Sequence, residues 1–130
     1  MPDLNWLAIL AAAVSAFALG GIWYGPLFKH AWCREAGIDL HAAPGHPARV
    51  FGSAFVFALV AAIAFAWWLG PRPDLQDALC KGLVAGAALV ATSFGINYAF
   101  AQRSLKLWLI DGGYHTLQFA LYGLILGLWH

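Results

Sequence analysis

The sequence predicts an all-α integral membrane protein with four transmembrane helices in a bundle. Three observations carry this. Of 130 residues, 62% are hydrophobic and only 10% are charged, against about 25% charged in an ordinary soluble domain. Mean hydropathy is +0.73. The apolar residues also gather into four runs, each near the roughly 20 residues a helix needs to cross about 30 Å of hydrocarbon. None of the runs alternates with period two, which favours helices over barrel strands. A disordered chain would need low hydrophobicity and high charge. A soluble domain of this size could not hide so much apolar surface. The net charge of +1 gives no electrostatic hold on nucleic acid. Two cysteines are too few for a disulfide framework.

The chain reads as a single membrane domain over 1–130, with spans at about 4–24, 50–69, 78–101 and 105–129. The first run, Leu4 to Tyr24, is interrupted only by Asn5 and Ser15, and Pro26 is expected to end it because proline cannot continue a helix interior. Met1-Pro2-Asp3 lacks the basic residues of a signal peptide, so the run is expected to be retained. The cytoplasmic loop at about 25–49 holds a candidate interfacial helix from Leu27 to Ala36. It also carries His30, Cys33, His41 and His46, residue types that bind zinc, though nothing else ligand-like recurs and no metal is expected. Gly70-Pro71 closes the second run.

Lys29, Arg34, Arg49, Arg103 and Lys106 flank the first and third loops, while Arg72 and Lys81 alone lie at the other side. This asymmetry places the first and third loops in the cytoplasm and both termini outside. Trp6, Trp67, Trp68 and Trp129 would then mark the outer interface, and Trp23, Tyr24 and Trp108 the inner one, where amphipathic rings are favoured. Cys33 and Cys80 would lie on opposite sides and stay unbonded.

The halves share letters. Phe57-Ala58-Leu59 returns as Phe119-Ala120-Leu121, Ile63 matches Ile125, Trp67 matches Trp129, and Gly21-Ile22-Trp23-Tyr24 resembles Gly95-Ile96-Asn97-Tyr98. Two parallel helix-hairpin repeats would give a pseudo-twofold bundle. Gly82 with Gly86 and Gly123 with Gly127 form GxxxG pairs, and Ala12, Ala16 and Gly20 form a similar stripe. Such spacing lets helix backbones approach closely, within one chain or between copies.

The fourth span carries the chemistry. Asp111, His115, Gln118 and Tyr122 are spaced by four, three and four residues and share one helical face. A carboxylate inside a span costs about 3 kcal/mol on insertion scales, so the stripe should face protein. Counting from the third loop puts Asn97 level with Asp111, and Ser93 and Thr92 level with His115. The repeat offset adds Arg49 as a possible ion-pair partner for Asp111. The stripe reads either as a hydrogen-bond network fixing helix register or as a proton or solute site. There is no phosphate loop, nucleophile elbow, HExxH or CxxC.

Asn5-Trp6-Leu7-Ala8, Gly21-x-Trp23-Tyr24-x-Pro26, Asn97-Tyr98 and Lys106-Leu107-x3-Asp111-x-Gly113-Tyr114-His115 resemble the small bacterial membrane proteins grouped as domain of unknown function 1761. The resemblance covers nearly the whole chain and implies a small multi-helix inner-membrane protein without assigning an activity. It directs attention to Trp23, Tyr24, Asn97, Asp111, Tyr114 and His115, and implies that Asn also stands where this chain has Asp111. The expected function is non-enzymatic: binding or passing a small solute or proton between helices, alone or as a homo-oligomer. The alternatives are an accessory subunit of a larger membrane complex and an intramembrane enzyme using Asp111 and His115. No cofactor is expected, though a bound lipid fits the setting.

Overall fold

A computed structural model describes residues 4–38 and 47–129. They are helical, with no strand among the described residues. The helices are α1 (Trp6–Ile22), α2 (Lys29–Ala36), α3 (Pro47–Leu69), α4 (Leu75–Val84), α5 (Ala91–Phe100) and α6 (Leu105–Leu128). A π turn at Trp23–Leu27 extends α1, and another at Ala85–Val90 joins α4 to α5. Three helical stretches are long and apolar enough to cross a membrane: Trp6–Leu27, Ala48–Leu69 and Leu75–Phe100. The fourth, α6, matches them in length, but Asp111, His115 and Gln118 dilute its apolar character.

Local signals explain the boundaries. Asn5, Asp74 and Ser104 cap α1, α4 and α6 by accepting from the backbone N–H groups of Ala8, Asp77 and Leu107. The third long helix therefore starts at Leu75, a turn before the expected residue 78. Gly70, at φ +89°, takes the left-handed conformation that closes α3. Pro26 does not end the first helix as expected. It lies inside the π turn, where Phe28 N–H reaches back five residues to the Trp23 carbonyl at 3.0 Å. The wider turn accommodates a residue that has no N–H to donate.

Arg103 Nη1 donates to the Ala36 carbonyl at 3.3 Å, bringing the first and third loops to one end. Asn5 Nδ2 donates to the Trp129 carbonyl at 3.0 Å, and Gly70, Pro71 and Pro73 gather beside them at the other end. The long helices therefore run alternately up and down. Around them the arrangement is not the pseudo-twofold bundle that the repeat suggested. α6 is central, packed between α1 and the α4–α5 helix, whereas its repeat counterpart α3 lies outside, packed along α1 and touching α6 only locally. The polar stripe explains the difference, because α6 needs protein on several sides and α3 does not.

Small residues make up most of the core: Ala8, Ala12 and Ala16 of α1, Ala62 and Ala66 of α3, and Ala85 surround four large side chains, Ile9, Phe65, Tyr122 and Leu126. Close backbone approach, rather than side-chain size, supplies the dispersion contacts. Both GxxxG pairs serve this packing within the chain. A Cβ on Gly82 would lie 2.2 Å from the Phe119 carbonyl oxygen, and one on Gly86 2.5 Å from Thr116 Cα. On the facing helix, a Cβ on Gly123 would lie 2.3 Å from the Ala78 carbonyl oxygen, and one on Gly127 2.9 Å from Leu75 Cα.

Candidate functional site

Asp111 is 7% exposed and belongs to the first turns of α6. Tyr24 Oη, from the π turn, donates to its Oδ1 at 2.6 Å. Tyr98 Oη, from α5, donates to Oδ2. A buried carboxylate needs such partners, and two phenolic donors satisfy one oxygen each. The π turn also directs Trp23 to α6, where its Nε1 donates to the Ile110 carbonyl at 2.9 Å. Gly113 leaves room for the Trp23 ring, which would stand 3.1 Å from a Cβ there. Tyr114 Oη ties α6 to α1 through the Ala16 carbonyl at 2.9 Å, and its ring packs against Tyr24.

A second network continues along the same face of α6. His115 Nδ1 lies 2.6 Å from Gln118 Oε1, so that ring nitrogen carries the proton it donates. Gln118 Nε2 donates to Tyr122 Oη at 2.8 Å, and Tyr122 Oη donates to the Ala58 carbonyl of α3 at 2.8 Å. Among the described residues no buried side-chain nitrogen or oxygen lacks a hydrogen-bond partner. No hydrogen bond joins Asp111 to His115, so the two networks are separate.

Several expected partners lie elsewhere. Asn97 is exposed, and the next residue, Tyr98, takes its place at Asp111. Ser93 and Thr92 are exposed and donate to carbonyls of their own helix, Leu89 and Ala88 among them. Phe94 faces His115 instead, stacked at 4.8 Å between ring centroids. A helical hydroxyl can satisfy itself on the preceding turn and does not need a tertiary partner. Arg49 is exposed on α3, and no ion pair among the described residues includes it or Asp111. Trp23, Tyr24 and Trp108, expected at the inner interface, are half-buried with their polar atoms bonded to protein. They turn inward, Trp108 donating through Nε1 to the Ala91 carbonyl at 2.8 Å. By contrast Trp6, Trp67, Trp68 and Trp129 are exposed.

In the first loop His30 is exposed and Cys33 buried, while His41 and His46 lie outside the described residues. No metal-binding group of three His, Cys, Asp or Glu side chains forms among the described residues. Glu35 of α2 meets the start of α6. A hydrogen bond from Ser104, with Lys106 and Arg34 nearby, holds its carboxyl below the usual carboxylate range.

Sequence reasoning missed a cleft of about 480 Å³ between α1 and α3. Phe17, Gly20, Gly21, Phe51 and Ala58 contribute its apolar lining, with Tyr24 and Tyr114 also against it and Lys29 its charged lining residue. The signal was the glycine row Gly20, Gly21 and Gly25, whose missing side chains leave space along α1.

Fold and site together define a helical protein with membrane-capable helices, built around a carboxylate held by two tyrosines. The family described as protein of unknown function (DUF1761) matches residues 7–127, and the chain belongs to it. No curated protein and no solved structure matches the chain.

Proposed function

We propose that this is a four-span, non-enzymatic protein of the bacterial inner membrane that binds a small amphipathic solute in the cleft between α1 and α3. In this reading α6 is the fourth span, its polar face covered by α1 and α5. The first and third loops are cytoplasmic and both termini lie outside, as the basic residues favour. The observation that carries the reading is the contrast between the two candidate places. The buried polar atoms of the stripe are satisfied within the protein, and no hydrogen bond joins its Asp111 to His115. The cleft offers about 480 Å³, within the range of small-molecule sites. Tyr24 connects the two: one hydroxyl bond to Asp111 fixes a ring that also lines the cleft. The Asp111 layer is thus a brace for the cleft wall.

A second reading, a subunit packed against copies of itself or a larger membrane complex, draws on α3. Its outward Val56, Phe57 and Val60 remain exposed. A photoreactive single-chain amphiphile, added to the purified protein in lipid nanodiscs, tests the cleft reading. Labelling is expected at cleft residues of α1 and α3. Labelling spread evenly over the outward faces of all four long helices would count against it.

A further inference from the structure

We infer that the cleft takes one anionic phospholipid, its phosphate at Lys29 and an acyl chain along the glycine wall of α1. This rests on the cleft reading above and names its ligand. The lining residues of α1 and its π turn run from Phe17 to Gly25, about 12 Å at 1.5 Å per residue. That is close to the roughly 15 Å hydrocarbon depth of one leaflet. Phe17 packs edge-on to Phe51 and Phe55, both at 6.0 Å between centroids, and ties α1 to α3 beside the cleft. Gly21 and Gly25 leave real space, since a Cβ on either meets nothing within 4 Å.

Charge selects the headgroup. Lys29 opens α2 at the first-loop end, and it is the charged residue among those lining the cleft. Among the described residues it has no ion-pair partner. The acidic side chain of α2, Glu35, is engaged with Ser104 and Arg34. With Lys29, the first and third loops and their edges carry Arg34, Arg49, Arg103 and Lys106 against Glu35 and Asp39, so the net positive charge of that end favours an anion over a zwitterion. Basic pockets between membrane helices on the cytoplasmic side recognise anionic headgroups by this chemistry. The Tyr24 and Tyr114 hydroxyls are already committed to Asp111 and the Ala16 carbonyl. Both rings therefore present their apolar faces to a chain.

Native mass spectrometry tests this, on the full chain released from nanodiscs holding equal amounts of phosphatidylglycerol and phosphatidylcholine. One retained phosphatidylglycerol per chain is expected, favoured over phosphatidylcholine. Lys29→Gln should reduce that preference about five-fold, the equivalent of about 1 kcal/mol for one basic residue at an anionic surface. Gly21→Leu fills the cleft from open space and should fold normally yet lose the retained lipid. Arg49→Gln, on the other side of α3, should retain it. Lipid that Gly21→Leu displaces but that shows no headgroup preference, or a preference unchanged in Lys29→Gln, overturns the anionic assignment and leaves the cleft reading standing. Lipid retained equally by folded Gly21→Leu and the unaltered chain overturns both.

Discussion

Gly123→Ala adds a single methyl group where the backbones of α4 and α6 approach closely. Its Cβ would stand 2.3 Å from the Ala78 carbonyl oxygen, 2.8 Å from that carbonyl carbon and 3.1 Å from Leu79 Cα. Ordinary contact begins at 3.4 Å, so α4 and α6 must part by about 1 Å, enough to forfeit a quarter to a half of each affected dispersion contact. All three atoms are backbone, so no side chain can swing away. Overpacking of this kind costs about 1–3 kcal/mol. The better helix propensity of Ala returns up to about 1 kcal/mol, and with the lost dispersion a net destabilisation of about 2 kcal/mol is expected. Gly21→Ala is the matched control, since its Cβ meets nothing within 4 Å and only the propensity gain of up to about 1 kcal/mol remains. Reversible unfolding in mixed micelles with increasing dodecyl sulfate, followed by tryptophan fluorescence, reads both. Gly82→Ala parts the same helix pair, so the double variant with Gly123→Ala should lose less than the sum of the singles. A Gly123→Ala protein as stable as Gly21→Ala would refute the close-approach argument.

Asp111→Asn keeps one acceptor for Tyr24 or Tyr98 and presents an N–H to the other, so it should fold with a loss of about 1 kcal/mol. Asp111→Ala leaves two tyrosine hydroxyls without an acceptor and should lose roughly 2–6 kcal/mol in the same unfolding assay. Because the Glu35 carboxyl is held below its ordinary value of 4.5, its contribution to stability is present above that value and lost as pH falls through the lowered one. Thermal unfolding of the unaltered chain and Glu35→Gln should converge over that acidic window, and curves that stay parallel would exclude the linkage. In cells, single cysteines at Arg72 and Arg34, in a chain with Cys33 and Cys80 replaced, should label with an impermeant reagent at Arg72 only. Labelling only at Arg34 would reverse the orientation.

The helices were legible because their cause is local. Continuous apolar runs, the capping Asn5, Asp74 and Ser104, and Gly70 beyond α3 act within a few residues of where they stand. The polar face of α6 was equally legible, since four side chains at helical spacing share a face whatever surrounds them. What they touch was not. Asn97 and Tyr98 are adjacent, and counting residues gives depth but not rotation; the close packing of the α4–α5 helix on α6 turned Tyr98, not Asn97, towards Asp111. Ser93 and Thr92 looked like partners for His115, but a hydroxyl that bonds its own helix is free to face outward, and Phe94 took the inner position. The π turn at Trp23–Leu27 likewise arises from Pro26 but is read only in three dimensions, because its consequence is that Trp23 and Tyr24 both reach α6. The sequence by itself determined which segments are helical and which face of α6 needs cover. The tertiary structure decided which helix supplies that cover, because helix rotation and neighbour order depend on how the small residues of every helix interlock at once.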